Sequence, residues 1–162
     1  MKVLKQVSIL IVTCSVLVQC SKEKKVERSL YKKEGTWSIT SVSWQKVLQD
    51  TSGQSVSQGT TANAGTFMFD KDGSGSYNFT VDGTIYNETF AWSVNNTTVS
   101  ITKVSQNVDF TGGGSIEQIA ISFSGDQKDK KNFEIQGSDS RQYASGSISQ
   151  KVFTGTFSLT KQ

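Results

Sequence analysis

The chain has 162 residues, a formal net charge of +3, 35% hydrophobic residues, two cysteines, no histidine and no proline. The missing histidine removes the commonest general base and metal ligand. Both cysteines lie in the first twenty residues, so the rest of the chain has no material for a Ser-His or Cys-His nucleophile or a thiolate metal site. Net positive charge is confined to the front: residues 20–33 hold six basic against two acidic side chains and residues 34–162 hold nine against twelve, which excludes a nucleic-acid footprint on the larger part.

Lys2 and Lys5 precede an apolar run from Val7 to Val18. That is the length of a signal-peptide core and short of the ~20 residues a spanning helix needs; a membrane anchor or a buried helix is the competing reading. Residues 17–20, "LVQC", resemble the lipobox of bacterial lipoproteins, with Leu17 three before Cys20 and Gln19 where that family has a small residue. The resemblance implies a signal peptide over 1–19, lipidation at Cys20 and anchoring in the bacterial cell envelope. Ser21, where an acidic residue marks inner-membrane retention in some lipoproteins, points to the outer membrane. Cys14 is the rival acceptor, but it would leave an apolar "SVLVQ" on the mature chain. Residues 20–33 then read as a charged tether. It is either drawn to anionic lipid, at ~1 kcal/mol per basic residue near the surface, or a solvated spacer.

Residues 34–162 form one domain of ordinary size and alternate in strand fashion. Trp37 and Ile39 share one parity and Val42 and Trp44 the other, so a bulge is expected near Thr40–Ser41. The polar stretch 50–65 reads as a long loop. Period-two runs follow, carrying Phe67 and Phe69; Tyr77, Phe79 and Val81; Tyr86, Glu88, Phe90, Trp92 and Val94; Val99 and Ile101; Ile119, Ile121 and Phe123; Phe133 and Ile135; Phe153, Phe157 and Leu159. Short Gly, Asn and Asp clusters separate them, among them Val81-Asp82-Gly83-Thr84, "GGG" at 112–114, "GDQKDKK" at 125–131 and "GSDS" at 137–140. Such short connections force antiparallel neighbours, giving an all-β barrel or a β-sandwich.

Chemistry is scarce. Residues 70–75, "DKDGSG", open like an EF-hand loop, but position twelve is Val81 and the flanks alternate as strands, so a β-turn is expected and no metal. The "GGG" run lacks the lysine and helix of a phosphate loop. Asp50, Asp70, Asp72, Asp82, Asp126, Asp129 and Asp139 fall in expected turns or loops. Glu88 and Glu117 are the strand carboxylates best placed to point somewhere specific. Glu88 shares the parity of Tyr86 and Phe90, so it is either a buried polar anchor or, if the period slips, exposed.

"GTW" at 35–37 resembles the first lipocalin motif, and the long first loop, successive hairpins and final "FTGTFSLTK" are similar in layout to small lipocalin-like lipoproteins of Bacteroidetes envelopes. The resemblance implies an antiparallel up-and-down barrel of eight to ten strands, with the Trp across the closed end and a basic residue near the last strand stacked on it; Arg141 is the one arginine of residues 34–162. It carries no ligand with it. Two functions stay open: a lipid-anchored, non-catalytic barrel holding a small apolar ligand, or a filled barrel serving a structural role or an envelope protein partner. The cavity in the first case would be lined by Trp37, Phe67, Phe69, Tyr77, Phe79, Tyr86, Glu88, Phe90, Trp92 and Phe123. No cofactor is expected.

Overall fold

A strand with one apolar face buries that face by pairing and closing the sheet on itself. The computed structural model describes residues 22–108, 116–143 and 146–162; the lipobox with Cys14 and Cys20 and the "GGG" run lie outside the described residues. Eight strands form: β1 (Thr36–Asp50), β2 (Gly53–Phe69), β3 (Ser74–Val81), β4 (Thr84–Asn95), β5 (Thr98–Val108), β6 (Ile116–Gln127), β7 (Asn132–Tyr143) and β8 (Ile148–Lys161). Each pairs antiparallel with the next, and β8 returns to β1 from Trp37↔Lys161 to Asp50↔Ile148, closing an up-and-down barrel. The lipocalin-like layout forms and the sandwich does not.

The expected bulge is present. Between Ile39 and Ser41 the register shifts against both neighbours, and the Thr40 hydroxyl donates to the Ser158 carbonyl at 3.0 Å. The inward set of β1 thereby passes from Trp37 and Ile39 to Val42 and Trp44. Asp82 and Gly83 take φ of 50° and 69°, the conformation a two-residue hairpin requires. Residues 70–73 are a turn: Gly73 N donates to Asp70 O at 3.2 Å, and Ser74 N to Asp72 Oδ1 at 2.9 Å.

Three segments differ from expectation. The stretch 50–65 is the outer part of β2, zipped to β1 from Asp50↔Gly53 up to Ile39↔Gly65. Asp50 Oδ1 accepts from the N–H groups of Ser52 at 2.7 Å and Gly53 at 3.0 Å, which closes the hairpin. Both faces of this part are largely wet, so it carries no apolar alternation. "GSDS" lies inside β7 and is no turn. Within the expected tether, residues 22–31 form a helix, α1. It lies at the end of the barrel that also holds the β2–β3, β4–β5 and β6–β7 turns, and Leu30 enters the core with no exposed surface.

A left-handed turn, Lys33–Gly35, joins α1 to β1. A side chain at Gly35, where φ is +64°, would collide with the Phe69 carbonyl, which is why glycine opens the "GTW" motif. Trp37 then lies across the closed end. Its Nε1 donates to the Leu30 carbonyl at 3.0 Å, and its ring meets Phe133 edge-on at 5.8 Å.

Candidate functional site

The inward positions sort into two layers. The lower one is aromatic. Phe67 is its hub: the rings of Phe69, Tyr77, Phe79, Phe90, Phe123 and Phe157 lie 5.4–6.5 Å from it. Phe133 meets Phe69 at 6.2 Å, and Phe153 meets Phe79 at 5.4 Å. All are buried, and each buried Phe contributes about 1.5–3 kcal/mol. Even glycine positions are tight: a methyl at Gly155 would sit 2.9 Å from Phe153 and 3.1 Å from Phe157. Of the ten residues expected to line a cavity, Phe67, Phe69, Phe79, Phe90 and Phe123 are ring-on-ring core, and Trp37 caps the closed end. Trp92 also sits low, its Nε1 donating to the Ser74 carbonyl at 2.6 Å.

Above the rings lies a polar layer built by β3, β4, β5 and β7. Tyr77 bridges the two layers, its hydroxyl donating to Asp139 Oδ2 at 2.7 Å. Arg141 forks onto the same carboxylate, Nε to Oδ1 at 3.0 Å and Nη2 to Oδ2 at 2.8 Å. Arg141 Nη2 also lies 3.4 Å from Glu88 Oε1, and Lys103 donates to Glu88 Oε2 at 2.7 Å. Two cations and two carboxylates thus alternate into a neutral chain. Glu88 faces inward with its side chain 9% exposed, and Asp139 has none exposed. The expectation of Asp139 as a turn acid is overturned by its place in β7. It shares the inward parity of Phe133 and Ile135, as Arg141 does; Lys103 likewise shares that of Val99 and Ile101. Extending the period-two count through Gly137 would have found both Asp139 and Arg141. The side chain of Glu117 lies outside the described residues.

The electrostatics follow from burial. Burial, with the Asp139 charge nearby, raises the Tyr77 phenol and pushes Tyr86 up to about 12. Burial works against the Arg141 charge, but the Asp139 hydrogen bonds and charge overcome it and raise its pKa. A cavity of about 130 Å³ opens beside this layer, between Thr84, Tyr86, Arg141, Tyr143 and Lys151. It has room for roughly four waters at ~30 Å³ each, less than the ~300 Å³ at which ligand pockets begin. Phenols raised in this way are poor nucleophiles at neutral pH.

At the closed end the basic partner of Trp37 is Lys161, 5.0 Å above the ring and missed from the sequence. Its ammonium donates to the carbonyls of Ser29 and Leu30, fixing the last turn of α1. An eight-strand barrel filled below, ion-paired above and plugged by a helix is thus the class of protein the geometry defines. No protein-family model, no curated protein and no solved structure matches the chain.

Proposed function

We propose that the chain is a lipid-anchored lipoprotein of the bacterial envelope whose filled barrel is a non-catalytic module for binding a protein partner. The observation that carries this is the occupied interior: a small apolar ligand, the other open reading, would have to take the place of rings already packed 5.4–6.5 Å from Phe67. The lipocalin-like origin of the barrel is supported by Gly35, Trp37 and Lys161, which together form a Trp-capped, cation-stacked closed end.

A partner is favoured by β2. Its outer half pairs with β1, while its ladder with β3 begins only at Gly65. Residues 51–69 contain neither a charge nor a proline, the devices that normally guard an edge, so a partner strand can add there. The outer surface argues against a lipid-facing barrel, which would carry an apolar belt outside and polar residues within. Here the exposed large apolar residues, among those described, are Val56, Met68, Ile85 and Val104. No helix among the described residues is long and apolar enough to cross a membrane.

Native mass spectrometry and crosslinking of protein purified from its own membranes test the proposal. The expected result is an acylated chain beginning at Cys20, no small molecule released on denaturation, and crosslinks from residues 53–64 to another protein. A stoichiometric apolar molecule would overturn the filled barrel. An unacylated chain would overturn the anchor, and failure to recover any partner would overturn the interaction.

A further inference from the structure

Three segments far apart in the chain converge at the closed end. Helix α1 and its exit bring Lys25, Arg28, Lys32 and Lys33, and the β6–β7 turn brings Lys130 and Lys131. All six are exposed. With Lys161 they line a groove of about 1160 Å³ between α1 and the barrel. Asp129 is the carboxylate in its lining, and it is turned onto its own loop, accepting from the N–H groups of Lys131 at 2.7 Å and Asn132 at 2.9 Å.

The pairing of charges is uneven across the molecule. Lys46, Lys103, Lys128 and Arg141 each have a carboxylate within 4.0 Å; among the described residues the six groove cations have none. Lys161 registers the resulting field, its pKa lowered by burial and then by Lys33 and Lys32. Six unpaired cations gathered in one groove call for an anionic surface.

We propose that this groove seats the phosphate-bearing headgroups of an anionic bilayer, so that the barrel stands on α1 with its open mouth turned away from the membrane. The proposal rests on the lipid-anchored reading. Charge complementarity and chain length choose the occupant. Cys20 lies two residues before Lys22, the first described residue of α1, a separation of at most ~7 Å. An acyl chain at Cys20 therefore holds the Lys22 end of α1 within about a Debye length, ~8 Å at physiological salt, of the headgroups. Docking here leaves the β2 edge and the polar mouth free for a partner.

The test uses the full chain, processed and purified in detergent, its acylation read by intact mass, and reconstituted into nanodiscs of phosphatidylcholine alone or mixed with phosphatidylglycerol. Hydrogen exchange should slow at residues 22–33 and 128–131 on the anionic discs only, and the effect should vanish at high salt. The Lys130→Gln/Lys131→Gln variant should weaken docking about thirtyfold, from ~1 kcal/mol per cation near an anionic surface. Equal exchange on both discs overturns the proposal, as does protection of the 82–83 or 146–147 turns instead. Stronger protection of the groove by a soluble polyanion such as heparin than by anionic discs overturns it in favour of a polyanionic partner. A missing acyl mass marks failure of the anchor alone, and adding such protein directly to anionic vesicles still decides the docking: salt-sensitive protection at 22–33 and 128–131 upholds it and its absence overturns it.

Discussion

Asp139 has no exposed side-chain surface, and three donor groups point at it: the Tyr77 hydroxyl and two nitrogens of Arg141. Removing the carboxylate leaves a buried phenol unpartnered and a largely buried guanidinium with only its 3.4 Å contact to Glu88, so Asp139→Ala is expected to cost about 3–5 kcal/mol in urea unfolding. Lys103→Met, at the wetter end of the same chain of charges, should cost no more than about 1 kcal/mol, because Glu88 keeps Arg141. Alkaline stability follows from Tyr86. Its phenol titrates near 10 when unfolded and at about 12 when folded. Its stabilising contribution is therefore complete below pH 10 and is lost as pH rises toward 12. A shallower fall over that window in Tyr86→Phe, followed by circular dichroism, is the expected result; an unchanged slope would refute the assignment. The aromatic layer could be read directly from alternation. Asp139 and Arg141 keep the same alternation but were hidden, because Gly137, Ser138 and Ser140 around them have the composition of a turn.

At the scale of elements, α1 shows what charge conceals. Lys and Glu dominate residues 22–33, and a tether was the natural reading. Yet Val26 and Leu30, four apart, lie on one helical face, and both pack on the core. Leu30 also supplies the carbonyl that Trp37 and Lys161 share. Leu30→Ala is thus expected to destabilise the barrel by about 2–5 kcal/mol and to shift Trp fluorescence to longer wavelength, whereas Lys24→Ala on the exposed face should stay within about 0.5 kcal/mol. Equal effects of the two would mean that α1 does not plug the barrel. The outer half of β2 was illegible for a related reason. With both faces wet it has no apolar period, and only the β1 register and the Asp50 turn reveal it.

Across the whole barrel, the seams are unequal. The β1–β8 seam runs from Trp37↔Lys161 to Asp50↔Ile148 and β1–β2 from Thr36↔Met68 to Asp50↔Gly53. The β2–β3 seam spans only Gly65–Phe69, and the β4–β5 seam only Ala91–Asn95. The β3–β4 hairpin is therefore ladder-bonded to β2 through Gly75–Phe79 but to β5 only through Ala91–Asn95, so its upper part, from Thr80 to Phe90, has no ladder outside the hairpin. Its upper half is pinned by side chains: Asp82 to Lys46 at 2.6 Å, and Glu88 to Lys103 and Arg141 at 2.7 and 3.4 Å. Such pins are weaker than a ladder and are screened by salt where exposed. This hairpin is the segment expected to open first, as a unit below the global unfolding free energy. Amides shared by β3 and β4 between Asn78 and Asn87 should exchange at least about tenfold faster than those of β1 between Val42 and Leu48. Glu88→Gln should widen the gap, since it weakens the ion pairs on the β5 and β7 sides together. Equal rates in both regions would mean that the barrel opens only as a whole, with the side-chain pins as strong as the ladders they replace.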